Sequence, residues 1–198
     1  MSTDPIWRTR WNLGSLEYEI TKKENLSVGS IIQSLCTLVE REIGQMATVE
    51  IYTHTLGDDT AFQADLTEEG RKEELYQYVK EERDLNYIEM YVTLHAYDDQ
   101  GGQVKLPNGI QMDLDVYDDV DYHLLEIKIN TDIFAPFYYE ESSRSIAVAE
   151  KNFPLLKAFL EGVGTSFEGE WEELFILPYM YGYFCDQGFY IREEEEYD

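Results

Sequence analysis

The feature that most constrains the fold is a strict two-residue alternation of apolar and polar side chains near the middle of the chain. From Ile88 to Ala96 every second residue is apolar, and glutamate, tyrosine, threonine and histidine stand between them. Successive side chains of a strand point to opposite faces, so this pattern predicts a strand with one buried and one hydrated face. Strands of this kind are typical of antiparallel sheets that are covered on one side only.

The same alternation recurs before and after this segment. Further strands are predicted at 16–20, 47–55, 104–106, 110–117 and 125–129. The tripeptide Pro107-Asn108-Gly109 predicts a hairpin turn, because Asn-Gly tolerates the positive φ of a tight turn. The segment from about 86 to 130 is therefore expected to form a β-meander.

Helices are predicted between these strands. Ser27 begins an apolar helical stripe that Gly44 is expected to cap, and Thr67 is expected to cap a second helix reaching about Asp84. A third helix is predicted over 145–152, with Pro154 starting a continuation or a new helix to Gly162. The pattern over 165–191 does not decide between helix and strand.

Together these elements predict one α+β domain over residues 1–192. We expect an antiparallel-rich sheet of about five strands with the helices mainly on one face, and an acidic, frayed tail at 193–198.

The charge of the chain narrows its function classes. The sequence has 41 acidic and 15 basic residues, a net charge of −26, yet 43% of it is hydrophobic and 14% aromatic. That composition argues against disorder. Direct binding of nucleic acid is disfavoured, since it depends on cationic contacts to phosphate.

The sequence predicts a cytoplasmic protein without a membrane segment. The longest uncharged apolar run, 174–185, has 12 residues and contains Pro178 and Gly182, whereas a membrane helix needs about 20. Cys36 and Cys185 are expected to be free buried thiols.

Two stretches without a basic residue, 106–127 and 158–191, contain acids beside tyrosines and a tryptophan. Rigid aromatic side chains are favoured at protein interfaces. The predicted partner-binding residues are Asp113, Asp115, Tyr117, Asp118, Asp119, Asp121, Glu168, Glu170, Trp171, Glu172, Glu173 and Tyr179.

Other interpretations of these acids remain open. The cluster at 113–121 suggests calcium, but the pattern of an EF-hand fails, with Tyr117 at the third ligand position, Asp118 at the glycine position and Leu124 at the end. It is also typical of a hydrated strand edge that charge protects from aggregation.

A histidine site is the other open interpretation. His54 and His95 share the polar strand parity of Glu50 and Glu89, which suggests zinc, although no paired histidine motif is present. The sequence has no Gly-x-Ser-x-Gly elbow and no phosphate-binding loop. We therefore predict no catalytic residue, no metal and no cofactor.

The function expected from these features is that of a non-catalytic acidic domain that binds a basic protein. Nucleic-acid-cleaving toxins are usually basic, and acids placed where phosphates would lie favour their inhibition. At the level of protein class, the chain resembles a bacterial immunity protein or a nucleic-acid mimic. The alternatives are a metal-dependent enzyme using the polar face with His54 and His95, and an acidic adaptor domain; the oligomeric state is open.

Overall fold

A computed structural model describes residues 7, 9–24, 26–134, 143–172, 182–185 and 188–191. The helices and strands within these ranges are β1 (Thr9–Thr21), α1 (Val28–Glu42), β2 (Gly44–Thr53), β3 (Thr60–Asp65), α2 (Arg71–Glu81), β4 (Leu85–Tyr97), β5 (Gln103–Asp115), β6 (Tyr122–Thr131), a 3₁₀ helix (Asp132–Phe134), α3 (Ser143–Ser166), β7 (Gly169–Glu172), β8 (Gly182–Cys185) and β9 (Gly188–Ile191).

Seven strands form one antiparallel sheet in the order β3-β2-β4-β5-β6-β1-β7, and β8 pairs with β9 separately. The α+β class and the meander β4-β5-β6 are confirmed, but the predicted number of about five strands is wrong. The two additional strands, β3 and β7, are the edges of the sheet. They are short, with six and four residues, and so carry little alternation for a sequence pattern to detect.

The helices cover the apolar face of the sheet. Ile31, Leu35 and Val39 of α1 are fully buried in one core with alternate strand residues such as Met90 and Ile127. Burial of this apolar surface is the main force that holds helices and sheet together. The polar strand residues are left on the opposite face.

The helix boundaries differ from the sequence prediction at Gly44. Helix α1 ends with Ile43 as its C-cap, and Gly44 is the first residue of β2, opposite Leu94. A Cβ atom at Gly44 would lie 2.2 Å from the carbonyl oxygen of Thr93. Glycine is needed here for the close approach of β2 to β4, and the expected cap is wrong.

The second helix begins later than predicted. Its N-cap is Gly70, with a φ of 81°, and the helix starts at Arg71. The Thr67 hydroxyl instead donates to Asp65 Oδ1 at 2.5 Å. That local bond stabilises the turn after β3 and leaves Thr67 outside the helix.

The predicted hairpin at Pro107-Asn108-Gly109 is also wrong, because β5 continues through it. Leu106 pairs with Leu94 and Ile110 pairs with Val92, so three residues bulge opposite one. Asn108 has a positive φ of 53°, as the tripeptide suggests. The unbroken β4 pairs with β5 on both sides of the bulge and keeps the chain running in one direction.

Helix α3 contains Pro154 in its interior and is not divided there. Buried residues precede and follow the proline, among them Val148, Asn152, Leu156 and Phe159. Packing on both sides therefore outweighs the loss of one helical hydrogen bond.

Candidate functional site: the acidic face of the sheet

A single row of acidic side chains crosses the polar face of the sheet. Each member lies directly opposite the next on the neighbouring strand. The row, called the acid row below, consists of Glu50, Glu89, Asp113, Glu126, Glu17 and Glu172. Strands are spaced by about 4.8 Å, so the row extends over about 24 Å.

The row brings together the two stretches that the sequence predicts as partner-binding. Asp113 lies on β5 and Glu172 on β7, with β6 and β1 between them. The expectation of a hydrated strand edge at 113–121 is not met, because β5 is the central strand of the seven. Glu170 and Glu172, in contrast, do lie on an edge strand and are exposed.

Tyrosines and glutamines donate hydrogen bonds to the acids on β2 and β4. Glu50 accepts from Gln63 Nε2 at 2.7 Å and from the Tyr52 hydroxyl at 2.9 Å. Glu89 accepts from the Tyr91 hydroxyl at 2.6 Å. Burial, together with these glutamates, raises the pKa of Tyr52 and Tyr91, so both phenols keep the protons that they donate.

The most buried member of the row is Asp113, which is only 2% exposed. It forms an ion pair with Lys128 and accepts from Gln111 Nε2 at 2.8 Å. Burial lowers the pKa of Lys128, but the hydrogen bond and charge of Asp113 outweigh this and raise it overall. Lys128 Nζ also lies 3.1 Å from Glu126. Glu50, Glu89, Asp113 and Glu126 are called the bonded half below.

The acids on β1 and β7 are in a different situation. Glu17 lies opposite Glu172 and Glu19 opposite Glu170. Within the described part of the chain, none of these four carboxylates accepts a side-chain hydrogen bond or forms an ion pair. Glu17 and Glu172 belong to the acid row, and Glu19 and Glu170 form a second facing pair beside it. The four are called the open half of the acidic face below, as the counterpart of the bonded half.

Like charges that face each other across strands destabilise a sheet. Burial raises the pKa of Glu17, and the charges of Glu126 and Glu172 raise it further. The open half is therefore a place where the folded chain retains electrostatic repulsion that a cation would relieve.

The β5–β6 turn lies at one end of this face. Asp115 is half-buried, and its pKa is raised by burial and by Asp113 despite a hydrogen bond from Tyr117. The rings of Tyr117 and Tyr122 meet edge to face, with centroids 5.8 Å apart. The exposed acids of the turn are Asp118, Asp119 and Asp121.

The remaining predicted residues are placed elsewhere. Trp171 packs on Tyr18, with ring centroids 4.6 Å apart, on the core side of β7. Glu168, at the end of α3, forms an ion pair with Lys23. Glu173 and Tyr179 lie outside the described residues, as does the predicted tail at 193–198.

The two histidines of the zinc interpretation do not meet. His54 lies in the turn after β2, beside Asp84, whereas His95 is eleven positions further along β4. At about 3.3 Å per residue this separation is roughly 35 Å. Among the described residues, no group of three or more histidine, cysteine or acidic side chains is placed to hold a metal ion.

Cys36 is buried and free, and burial raises the pKa of its thiol to about 11. The side chain of Cys185 is outside the described part of the structure. Within the described residues, no helix is both long and apolar enough to cross a membrane.

Sequence reasoning missed Glu17, Glu19 and Glu126 as members of the acidic face. Their alternation with apolar neighbours is visible in the sequence, but their position in the row follows from strand order and register. No family model, curated protein or solved structure significantly matches the chain.

Proposed function

We propose that this chain is a non-catalytic inhibitor of the immunity-protein type, which binds a basic protein through the acidic face of its sheet. The partner class is a toxin whose own substrate is polyanionic, such as a nuclease. The compartment proposed for this activity is the cytoplasm. The observation that carries the proposal is the acid row.

Apart from Asp113, which is buried and paired with Lys128, the row has the form that a cationic surface would recognise. Its carboxylates follow one line across six strands at intervals of about 4.8 Å, comparable in scale with the roughly 3.4 Å rise between phosphates along a DNA strand. Clustered charge of one sign steers an oppositely charged partner and raises its association rate. A nuclease surface that accepts phosphates is complementary to such a line.

The open half is the part of the acidic face to which the described residues supply no neutralising partner. An arginine or lysine placed among Glu17, Glu19, Glu170 and Glu172 would relieve two facing pairs of like charges. Arginine binds carboxylates in bidentate geometry, which adds direction to the charge attraction. These four acids are therefore the proposed centre of the interface.

Aromatic side chains stand at the margin of this surface. Tyr117 and Tyr122 are half-buried, and their ring contact holds both in place. Tyrosines held in this way provide interface area at a small cost in entropy. They extend the proposed interface towards the exposed acids of the β5–β6 turn.

The test is capture of partners from the native cell by the full chain, followed by affinity measurement with the purified partner. The variant E17Q/E172Q removes two charges of the open half, and E69Q/E150Q removes two exposed charges far from it on the α2 and α3 side. We expect a basic partner whose affinity falls about tenfold or more with E17Q/E172Q. The control should bind almost as the unchanged chain does.

Salt provides a second measurement on the same complex. Association of a charge-complementary pair slows as ionic strength rises, because exposed charges are screened beyond about 8 Å at 0.15 M. If the captured partner is a nuclease and its activity is inhibited in the complex, that result identifies the toxin class. A partner that is not basic, or an affinity equal for both double variants, would contradict the proposal and favour an adaptor role.

A further inference from the structure

A cavity of about 870 Å³ lies at the opposite end of α1 from its C-cap, next to the β5–β6 turn at one end of the acidic face. Its walls come from the N-terminus of α1, the C-terminal end of α2 and the segment from Val116 to His123. This volume is within the range of small-molecule sites, which are commonly about 300–1,000 Å³.

Three cations surround the cavity. Lys22, Lys80 and Arg83 all contribute to its lining, and in the described part of the chain none of them is paired with a carboxylate. The Lys22 ammonium is held in place by the carbonyl oxygens of Tyr117 and Val120, the latter at 2.7 Å. In a chain with a net charge of −26, three unpaired cations around one cavity form a local exception.

Two acids, Glu82 and Asp118, also line the cavity. Glu82 Oε1 accepts from the backbone N–H groups of Arg83 and Asp84, at 2.7 and 2.9 Å, where it terminates α2. Asp118 is exposed in the β5–β6 turn. The balance of side-chain charge around the cavity remains positive.

The N-terminus of α1 adds to this positive potential. Ser27 and Ser30 form a reciprocal capping box, and the first turn contains no acidic residue. Helix N-termini present free N–H groups and the positive end of the helix dipole, which together favour a bound anion. Val28 and Gly29 of this first turn are part of the cavity wall.

A buried histidine lies in the same wall. His123 lines the cavity and is only 7% exposed, and its Nδ1 atom has no hydrogen-bond partner among the described residues. A buried polar atom without a partner carries a cost in free energy, which a small rotation of the ring towards a bound anion would remove. Burial, aided by the charge of Lys22, lowers the pKa of His123 to about 4, so the neutral ring is available as a hydrogen-bond donor.

The remaining wall is mainly apolar, with Gln33 and Tyr117 as its further polar residues. Val79, Leu85 and Val116 are buried around the cavity, and the ring of Tyr76 lies beside them. Small-molecule sites typically combine an apolar wall with a few polar groups that fix the orientation of the ligand. We propose that this cavity binds a small phosphate monoester, with the phosphate at Lys22, Lys80, Arg83, His123 and the α1 N-terminus and an apolar body against the valines.

The test is titration calorimetry of the full chain with phenyl phosphate, beside inorganic phosphate and phenol. We expect saturable binding of one phenyl phosphate, several-fold tighter than inorganic phosphate, and no measurable binding of phenol. The variant K80S/R83S changes two exposed side chains and should leave the fold intact, while weakening phenyl phosphate about tenfold or more. The matched control is Lys105→Ser, an exposed lysine on β5 far from the cavity.

A second measurement reports on His123 directly. Phenyl phosphate should shift the imidazole nitrogen resonances of His123 while those of His54 and His95 stay unchanged. The charged groups that act on that ring are Lys22 and Asp118, and Lys80, Glu82 and Arg83 line the same cavity. Equal affinities for K80S/R83S and Lys105→Ser, no His123 shift, or phenyl phosphate no tighter than inorganic phosphate would each overturn the proposal.

Discussion

The bonded half and the open half of the acidic face each consist of four carboxylates, but these have different relations to the fold. In the bonded half, Tyr91, Gln63 and Lys128 supply donors to the carboxylates. In the open half, Glu17 faces Glu172 without such donors in the described part of the chain. The acids of the first are integrated into the structure, whereas those of the second are retained at a cost to it.

Net charge alone does not make this distinction, which is the reason that the proposed interface is centred on the open half. Natural folds keep unfavourable charge arrangements mainly where function requires them. The predictions below alter the two halves separately and are ordered by the size of the expected effect.

The largest effect is expected from removing the cation of the bonded half. Lys128→Met leaves the Asp113 carboxylate buried without its ion-pair partner, and Asp113 is only 2% exposed. We expect a loss of about 3 kcal/mol in the free energy of unfolding, because breaking one side of a buried pair is strongly destabilising. This loss in the free energy of unfolding is measured by urea denaturation.

The double variant D113N/K128M is the control for this result. Replacing the buried charge as well should restore part of the lost stability. If Lys128→Met alone unfolds at the same urea concentration as the unchanged chain, the bonded half is not integrated into the fold as described.

A smaller loss is expected from Tyr91→Phe, which removes the hydroxyl that donates to Glu89 at 2.6 Å. Hydrogen bonds to charged groups contribute about 1.5–3 kcal/mol, and partial exposure places the loss near the lower end of that range. Tyr122→Phe is the matched control, since its hydroxyl has no hydrogen bond to the described residues. Equal stabilities of the two variants would contradict this role of the tyrosines.

Removing a charge from the open half should raise the free energy of unfolding, whereas the two changes in the bonded half lower it. Glu17→Gln removes a charge that faces Glu172 and Glu126, so we expect a gain of about 0.5 kcal/mol in the free energy of unfolding at pH 7. Glu150→Gln on the exposed side of α3 should change it much less. A loss of stability in Glu17→Gln would show that this carboxylate has a structural role.

The smallest effect is the contribution of single carboxylates to the dependence of stability on pH. The pKa values of Glu17 and Asp115 are raised in the folded state, so their protonation favours folding as pH falls from 7. His123 acts in the opposite direction: its pKa is lowered to about 4, so stability falls as pH drops below the ordinary value of about 6.5. The pKa values of Asp65 and Asp84 are lowered, so their contribution is present above their ordinary pKa and is lost below it. Because these contributions oppose each other, the part due to Glu17 is seen as a difference between variants.

Denaturant midpoints between about pH 4 and 8 test this dependence. The stability gained by Glu17→Gln over the unchanged chain should shrink as pH falls from 7 to 5, while the small difference for Glu150→Gln should stay constant. A difference for Glu17→Gln that does not change with pH would assign the effect to other groups.

Much of the fold could be predicted because the burial pattern of the strands is local. The residues of β4 alternate between buried and half-buried positions, and this alternation is visible in the sequence. The edge strands are different. β3 and β7 are too short to show an apolar–polar alternation, and their positions are set by pairing with β2 and β1. The roles of Gly44 at the start of β2 and of Pro107 in the bulge of β5 are not visible in the sequence, because both depend on the neighbouring strand β4.

The candidate site could be predicted only as two separate acidic stretches. Asp113, Glu170 and Glu172 come from these two stretches and lie on one face of the sheet. Glu17 belongs to the same face through the pairing of β1 with both β6 and β7. No local signal in the sequence specifies that pairing. The cavity beside His123 was missed for the same reason, since its walls come from segments distant in the chain.

The pairing of β1 with β7 also has a consequence for the order of events during synthesis. β1 leaves the ribosome before its partner β7, which begins only at Gly169. Contacts between residues so distant in sequence form late, because closing a long loop costs entropy before it gains contacts. A nascent chain therefore lacks the open half until β7 has been synthesised, and the proposed binding through it would be delayed until then.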